Sequence, residues 1–502
     1  MNDVIIVGGG PTGLMLACEL SLAGVRAVVL ERLAEPSGLS KALGLSGRAV
    51  ELLDHRGLLE RFQEAQPASA DSVAGLFHFA GIPIDVRRLA AEPPNFVFVP
   101  QAVTERLLTQ RANELGVELR QGHDVVDLEQ DDNAVRLEVR NSGATHSISA
   151  RFVVGCDGGR SVVRELAGIA FPGTRPTRLL RLGDVKITEL AGQAMTWRSR
   201  TPFPPLDGGY FRVITSEPYP DDFDRNAPMA LDELRDSIRR TTGQDVRISE
   251  PRWLSRFTDA SRQADQYRKG RILVAGDAAH VHLPAGGPGL STGLSDAVNL
   301  GWKLAAELRG WAPPGLLDSY HFERHPAGAR VLMHTRAQST LLAPGEHVQA
   351  LRQLFIELMQ DDHTIRRVVD LLQGNDVRYA MGDGADGHPV VGRFAPALTL
   401  TTVRGQRRLP ELMRAARGVF LDLADNALLR EHAREWSDRV DLVTGECPSA
   451  PADALLIRPD GYVAWAGDDG DTLQEALIRW FGPPDRSAAV QVDGEEKELP
   501  SG

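Results

Sequence analysis

Several short clusters in this sequence have residue types and spacings suited to holding a phosphorylated ligand. The first is Gly8-x-Gly10-x-x-Gly13, with Pro11 and Thr12 inside it. In such a turn the leading Gly permits a tight bend and the second lets a pyrophosphate approach the backbone. The third brings strand and helix together, and the helix amino end supplies N–H donors and a positive dipole. Glu31, 18 residues after Gly13, is placed to accept hydrogen bonds from an adenosine ribose, and Arg32 follows it. Two acids come directly after apolar runs, Asp157 in Gly155-Cys156-Asp157-Gly158-Gly159-Arg160-Ser161 and Asp277 in Gly276-Asp277-Ala278-Ala279-His280. Both would sit at the carboxyl end of a strand, where α/β sheets bind ligands. A last segment, Pro284-Ala285-Gly286-Gly287-Pro288-Gly289, passes through Leu290 into a helical pattern beginning near Ser291.

Other candidates are weaker. Gly382-x-Gly384-x-x-Gly387 repeats the glycine spacing, but it follows no apolar strand, opens no helix and carries two Asp that would repel phosphate. It is read as a loop, so a nicotinamide cofactor has no Rossmann domain of its own. His321 and His325 stand four apart on a helix with Glu323 between them, yet lack a third ligand and are read as a solvated face. No metal site is expected. His280 is expected to make a structural hydrogen bond. Trp197, Phe203, Tyr210 and Phe211 would line an aromatic pocket or simply pack, and Arg404 to Arg408 read as surface.

The elements that must position these residues follow from apolar periodicity. Val4-Ile5-Ile6-Val7 reads as a strand buried on both faces. Leu14, Ala17, Leu20 and Ser21 mark a helix stopped by Gly24, and Ala27–Leu30 is a second buried strand. Helices are expected over about 46–65, 102–115 and 291–308, and buried strands over 152–154 and 272–275. From about 171 to 262 helical periodicity mostly disappears, and short strand candidates such as Tyr210–Thr215 suggest an inserted antiparallel layer. Residues 379–391, rich in Gly and Asp, read as a linker to a last unit with strands near 418–423, 440–443, 454–457 and 462–464. The expected division is residues 1–172 and 266–390 for a cofactor-binding unit, 173–265 for the layer and 391–502 for the last unit.

Composition narrows the class. The 502 residues carry 56 Lys plus Arg against 68 Asp plus Glu, a net charge of −12, which argues against nucleic acid or an acidic membrane surface as partner. Cysteine occurs three times, at Cys18, Cys156 and Cys447, too few and too scattered for a disulfide framework or a Cys-rich zinc module. No basic, apolar leader opens the sequence, and no run of apolar residues is long enough to span a bilayer. A cytoplasmic protein acting on small molecules, as monomer or homodimer, is expected.

Together, the Gly8–Gly13 turn, the Asp157 and Asp277 motifs, Gln101 with Glu105 and Arg106, Asp296 to Leu304 and Tyr320-x-x-Glu323-Arg324-x-Pro326 resemble the FAD-dependent aromatic hydroxylases of the para-hydroxybenzoate hydroxylase type. The resemblance spans nearly the whole chain. Ser40–Gly44, Trp253–Thr258, Arg458–Tyr462 and Trp480–Pro484 look most like the actinomycete hydroxylases of tetracycline- and angucycline-type polyketides. It implies an α/β fold: a Rossmann-like FAD-binding domain, an antiparallel substrate layer and a thioredoxin-like C-terminal domain. Lacking Cys-x-x-Cys, that domain has no dithiol chemistry.

The implied reaction uses NADPH (or NADH) and O2 to hydroxylate a polycyclic aromatic polyketide through a flavin C4a-hydroperoxide, in antibiotic biosynthesis. Carried over, Glu31 would hold the adenosine ribose, Arg48 the pyrophosphate region, Gln101 the ribityl region and Asp277 the ribityl hydroxyls. Asp157, Gly158 and Arg160 would serve FAD and NADPH. Pro284, Gly286, Gly287, Gly289, Leu290 and Ser291 would lie along the flavin ring, with the helix dipole favouring its anionic reduced form. No single indispensable base is expected. The sequence departs from the family's Gln, Asn and Gln at Pro288, Ser291 and Ser295. Those departures leave a catalytically weakened flavin-binding accessory role open, while Baeyer–Villiger or ring-cleaving chemistry and drug inactivation stay open because the shape of the site and the substrate decide the outcome.

Overall fold

The computed structural model describes residues 1–67, 77–89, 94–189, 204–220, 222–224, 227–382 and 387–484. An eight-stranded sheet is built around the β-branched strand Asn2–Val7, whose Val4, Ile5 and Ile6 are fully buried. Ala27–Glu31 and Ala144–Gly155 flank it in parallel, and Glu118–Gln121 and Ile272–Val274 extend the parallel set. Asp124–Gln130 and Val135–Asn141 add an antiparallel extension. Register fixes where the motifs emerge. Val7 pairs with Leu30 and with Gly155, and Gly155 pairs with Val274. Gly8, Glu31, Asp157 and Gly276 therefore leave one edge of the sheet together, at the carboxyl ends of its strands.

Two helices cover this edge side by side. Pro11–Leu22 stops before Gly24, which takes a φ of +73°, and Pro288–Arg309 begins three residues before the position expected from sequence. They run parallel and very close, because glycines of the second meet side chains of the first. A Cβ on Gly293 would lie 2.4 Å from Thr12 Oγ1, and one on Gly301 would lie 2.5 Å from Glu19 Cβ.

The inserted layer is a four-stranded antiparallel sheet in the order Pro205–Leu206, Tyr210–Pro218, Arg178–Glu189, Arg247–Thr258. It also contains the helix Leu231–Thr242, which the sequence reading overlooks, with Leu234 and Ile238 packed on Val185 and Val213. The last unit pairs Val440–Thr444 with Gly418–Asp422 in parallel, then adds Ala454–Ile457 and Val463–Ala466 antiparallel, with helices Ala427–Arg434 and Gly470–Phe481. No helix among the described residues is long and apolar enough to cross a membrane.

Some expectations need correction. The helix expected over 46–65 is two, Arg48–His55 and Leu59–Glu64, because Gly57 between them takes a φ of +66°. Helices Glu346–Leu358 and Asp362–Gln373 were not anticipated. The expected linker is in part core: Tyr379, Met381 and Val391 are buried, and Tyr379 stacks on Tyr462 with ring centroids 4.0 Å apart. The second glycine triplet falls largely on residues 383–386, outside the described residues, as do Trp197 and Phe203.

A buried polar network locks the last unit to the helices. Glu323 Oε2 accepts from Lys303 Nζ (2.6 Å), Asn299 Nδ2 (2.7 Å) and Arg458 Nη2 (2.8 Å), and Oε1 accepts from Arg458 Nη1 (2.6 Å). Asp460 accepts from Arg458 and Asn299, and the Arg458 guanidinium lies 4.4 Å over Trp480. Two cations and two anions balance, all buried. Burial alone would raise the Glu323 carboxyl, but Arg458 and Lys303 outweigh it and hold it well below its ordinary value near 4.5. The stability it contributes is thus present above that value and lost as the pH falls below it. Glu323→Gln should cost about 3–5 kcal/mol at neutral pH, since it leaves an unbalanced buried cation. It should also flatten the acid side of the stability curve, both measured by denaturant unfolding across pH.

Candidate active site

At the common edge of the sheet, two helix amino ends are left uncapped. Gly10 precedes the first helix and Gly287 the second; neither helix has a side-chain cap or an acidic residue in its first turn, and each has Pro at its first position. Proline there lacks only an N–H that has no partner inside the helix. By α-helix geometry the N–H groups of Thr12 and Gly13, and of Gly289 and Leu290, are then the donors without intrahelical acceptors. Nothing lies within 4 Å of a Cβ placed on Gly10 or Gly287. Both ends face open space with positive dipoles and free donors, a place for anionic or carbonyl oxygens.

The surrounding glycines are tight. Gly8 has a φ of +108°, and a Cβ there would lie 2.5 Å from the Cys156 carbonyl oxygen; one on Gly13 would lie 2.1 Å from the Gly8 oxygen. Thr12 is wedged between the helices and also meets Gly276, whose Cβ would come within 2.7 Å of its hydroxyl. The turn, the Gly276 motif and the second helix therefore converge on one threonine.

The acids divide into two groups. Glu31 accepts from the N–H of Gly9 (2.8 Å) and Leu33 (2.9 Å), which fixes its carboxylate beside the turn with lone pairs to spare. Asp277, in the turn Gly276–Ala278, is exposed, and no protein donor reaches its carboxylate among the described residues. Arg32 and Arg160 are likewise exposed. Asp157 is occupied: it accepts from Ser161 Oγ (2.5 Å) and from the N–H of Val162 (2.7 Å) and Val163 (3.2 Å), at the start of helix Val162–Leu166. Burial raises its carboxyl despite those hydrogen bonds. Gly158 beside it takes a φ of +84°.

Arg48 is engaged by Glu51, by Asn375 (3.2 Å) and by Phe394, whose ring lies 3.9 Å beneath it; its hydrogen bonds lead to none of the Gly8–Gly13 residues. Gln101 binds the loop 38–44, accepting from Ala42 N–H (3.4 Å), and donates to Glu105 (2.8 Å). That loop continues to Ser46, whose N–H donates to Ser291 Oγ (3.2 Å), so residues 38–48 tie the second helix start to the antiparallel sheet. Ser295 Oγ turns back to the Ser291 carbonyl (2.9 Å). Gln338 donates to the Ala285 carbonyl (3.2 Å) and supports Gly286 from below; Pro284 is exposed.

Two buried supports lie outside the site residues expected from sequence. Asp296, fully buried on the second helix, accepts from Gly276 N–H (3.0 Å), Arg324 Nε (2.7 Å) and His280 Nε2 (2.7 Å). Burial pushes its carboxyl up, but Arg324 and His280 outweigh that and keep it below its ordinary range. His280 is thus a structural partner of Asp296. The second support, Asp184 with Arg212, stands on the antiparallel sheet beside a cavity that Ser40, Phe98, Pro100 and Trp253 also line. Asp296 falls in the Asp296 to Leu304 stretch that carries the family resemblance, with no role attached to it there; nothing local marks Arg212. His321 accepts from the Tyr267 N–H (3.3 Å) and packs on His325; among the described residues no three His, Cys, Asp or Glu cluster as metal ligands do.

Comparison with known proteins agrees with this geometry. Residues 1–335 match the FAD binding domain family and residues 388–484 the aromatic-ring hydroxylase C-terminal family. The chain belongs to the FAD-dependent aromatic-ring hydroxylases. It is 46% identical to a 12-dehydrotetracycline 5-monooxygenase/anhydrotetracycline 6-monooxygenase of Streptomyces rimosus, over 96% of this chain and 99% of that one. It is 44% identical to a rifampicin monooxygenase of Streptomyces venezuelae, with 96% and 99% covered. A solved structure, the OxyS anhydrotetracycline hydroxylase from Streptomyces rimosus, superposes with a TM-score of 0.88 at 45% identity, covering 96% of this chain and 99% of that chain.

The residues present fit FAD. The turn at Gly10 leaves room for a pyrophosphate, Glu31 and Asp277 offer acceptors to ribose and ribityl hydroxyls, and the second uncapped helix offers donors to a flavin carbonyl. The close contact at Thr12 yields a test. Gly293→Ala should destabilise the protein by about 1–3 kcal/mol and lower FAD retention, as forced overpacking does. Adding Thr12→Ala should recover most of the loss in a double-mutant cycle read by thermal unfolding and by bound-flavin absorbance.

Proposed function

We propose that this protein is an NADPH- and O2-dependent monooxygenase that hydroxylates a polycyclic phenolic polyketide in antibiotic biosynthesis. The observation that carries the reading is the pair of adjacent, uncapped helix amino ends at the carboxyl ends of the parallel strands. One end suits a pyrophosphate and the other an electron-rich ring carbonyl. The activities for which the Streptomyces relatives are named, on tetracycline intermediates and rifampicin, support a fused-ring substrate.

In this reading Gly8, Gly10, Pro11, Thr12 and Gly13 shape the pyrophosphate turn and Glu31 takes the adenosine ribose. Arg32 and Arg160 stay available to phosphate-bearing cofactors at the surface. Asp277 accepts from ribityl hydroxyls, and Gln101 sets the loop beside them. Gly286 and Gly287 let the chain pass close to the ring, and the N–H groups of Gly289 and Leu290 stabilise charge that builds there on reduction. FAD, when bound, supplies reduction by NADPH and activation of O2 for transfer of one oxygen atom. The protein's share is to orient both partners and to exclude water from the reacting edge. Asp157 caps the Val162–Leu166 helix, so its part in cofactor binding is indirect.

Purified protein should be yellow, and NADPH oxidation should accelerate with a tetracyclic phenol such as anhydrotetracycline, giving a product heavier by one oxygen. Asp277→Ala should weaken FAD binding by about 10- to 100-fold, the cost of a lost charge-assisted hydrogen bond, as read by flavin fluorescence. NADPH consumption that never yields an oxygenated product would favour an accessory role instead.

A further inference from the structure

The face of the antiparallel sheet turned away from its helix carries a charged row that flavin binding does not use. Asp184 stands in register with Arg212 on one neighbouring strand and with Trp253 on the other. Its two carboxylate oxygens accept from Arg212 Nε and Nη2, each at 2.8 Å. The guanidinium lies 5.3 Å over the Trp253 ring, and Nη1 donates to the Lys41 carbonyl at 3.3 Å. Asp184 is 6% and Arg212 3% exposed, yet both line the cavity between sheet and loop 38–43. Asp207 and Arg252 line it too, with Arg252 stacked 3.8 Å over Tyr210.

Cohesion of the layer does not require this row. The opposite face already joins sheet to helix through Val185, Val213, Leu234 and Ile238, and a buried ion pair is seldom more stabilising than apolar residues of the same size. A guanidinium has five N–H donors in a fixed fork. Three bonds are made here, which leaves two donors with no protein acceptor among the described residues. They belong to a buried cation lying over an aromatic face, at the wall of a partly open cavity next to the Gln101 loop.

We infer that Arg212 is the substrate anchor: its spare donors hold an ionised oxygen, a phenolate or the enolate of a β-dicarbonyl, of a planar fused-ring molecule lying along Trp253. Asp184 aims the fork and tempers its charge. On binding, the phenolic proton passes to solvent, and an ionised ring is the more electron-rich one that hydroxylation needs. This inference rests on the polyphenol reading above and sharpens it to acidic phenols and enols.

The test uses the FAD-loaded protein and emodin, a planar polyphenol whose absorption moves to longer wavelength on ionisation. Wild type should ionise bound emodin at lower pH than free emodin. Arg212→Gln should bind it at least about tenfold more weakly, as loss of a charged hydrogen-bond donor implies, and return its ionisation to the free value. Asp184→Asn should act in the opposite direction, ionising bound emodin at a still lower pH. A merely structural pair would make both variants change alike, and FAD content shows whether each has folded. Should Arg212→Gln lose FAD, Arg212→Lys serves: it should keep part of the ionisation shift while weakening binding. Arg212→Gln or Arg212→Lys binding emodin with wild-type affinity and spectrum would overturn the anchor. Wild type that retains FAD but ignores emodin would instead bring down the polyphenol reading, and the anchor with it.

Discussion

The active edge of this molecule depends on one close contact, the parallel approach of helices Pro11–Leu22 and Pro288–Arg309 over Thr12 and Gly293. Aligned in the same direction, their positive ends lie next to each other, and neither carries an acid or a capping side chain to offset the field. Two adjacent positive poles repel, so the arrangement is stable only because packing farther along holds it. Gly301 against Glu19, and Glu19 bound at 2.6 and 2.8 Å to the buried Arg56, supply part of that hold. Asp296 supplies another, gripping Gly276, His280 and Arg324 from one turn farther along the second helix than Thr292. The fold thus places no carboxylate of its own in the first turn of either helix, an arrangement that suits an anionic group.

The C-terminal unit belongs to the same scheme. Arg56 donates to the carbonyls of Met413 and Pro459, and Arg458 completes the Glu323 network. The two uncapped helices are therefore braced from behind by a unit that has no Cys-x-x-Cys pair. Burial pushes the Cys18 thiol up to about 12 and the Cys156 thiol well above its ordinary value, which favours the protonated form of both at neutral pH. What the structure shows of the C-terminal unit is attachment through buried charges to both helices.

Much of this was legible in the sequence, and unevenly so. Gly8, Gly10, Gly13 and Glu31 could be read because backbone geometry admits few residue types there, and a pyrophosphate turn announces itself in Gly spacing. The strands at Val4–Val7 and Ile272–Val274 were legible from unbroken apolar runs. The helix Leu231–Thr242 was overlooked although Leu234 and Ile238 carried its period, because Pro and Gly on either side suggested only strands. Arg48 and Asp157 read as cofactor ligands; in the structure Arg48 bonds Glu51 and Asn375 and keeps a buried Nε without a partner, while Asp157 accepts from the start of a helix. Spacing along a chain does not say whether a side chain's hydrogen bonds are already used.

The pairing of Asp184 with Arg212 shows why substrate recognition is harder to read than cofactor binding. These residues are 28 apart in sequence and meet only through strand register. Neither is forced by backbone conformation, so many residue types would preserve the fold at those positions. The Gly8–Gly13 edge is constrained by main-chain shape, since a Cβ on Gly13 would lie 2.1 Å from the Gly8 oxygen. The sheet face is constrained only by what enters the cavity. Relatives with the same helices can therefore act on tetracyclines or on rifampicin, and what separates them must be sought across strands such as Arg178–Glu189 and Tyr210–Pro218, where no local motif points.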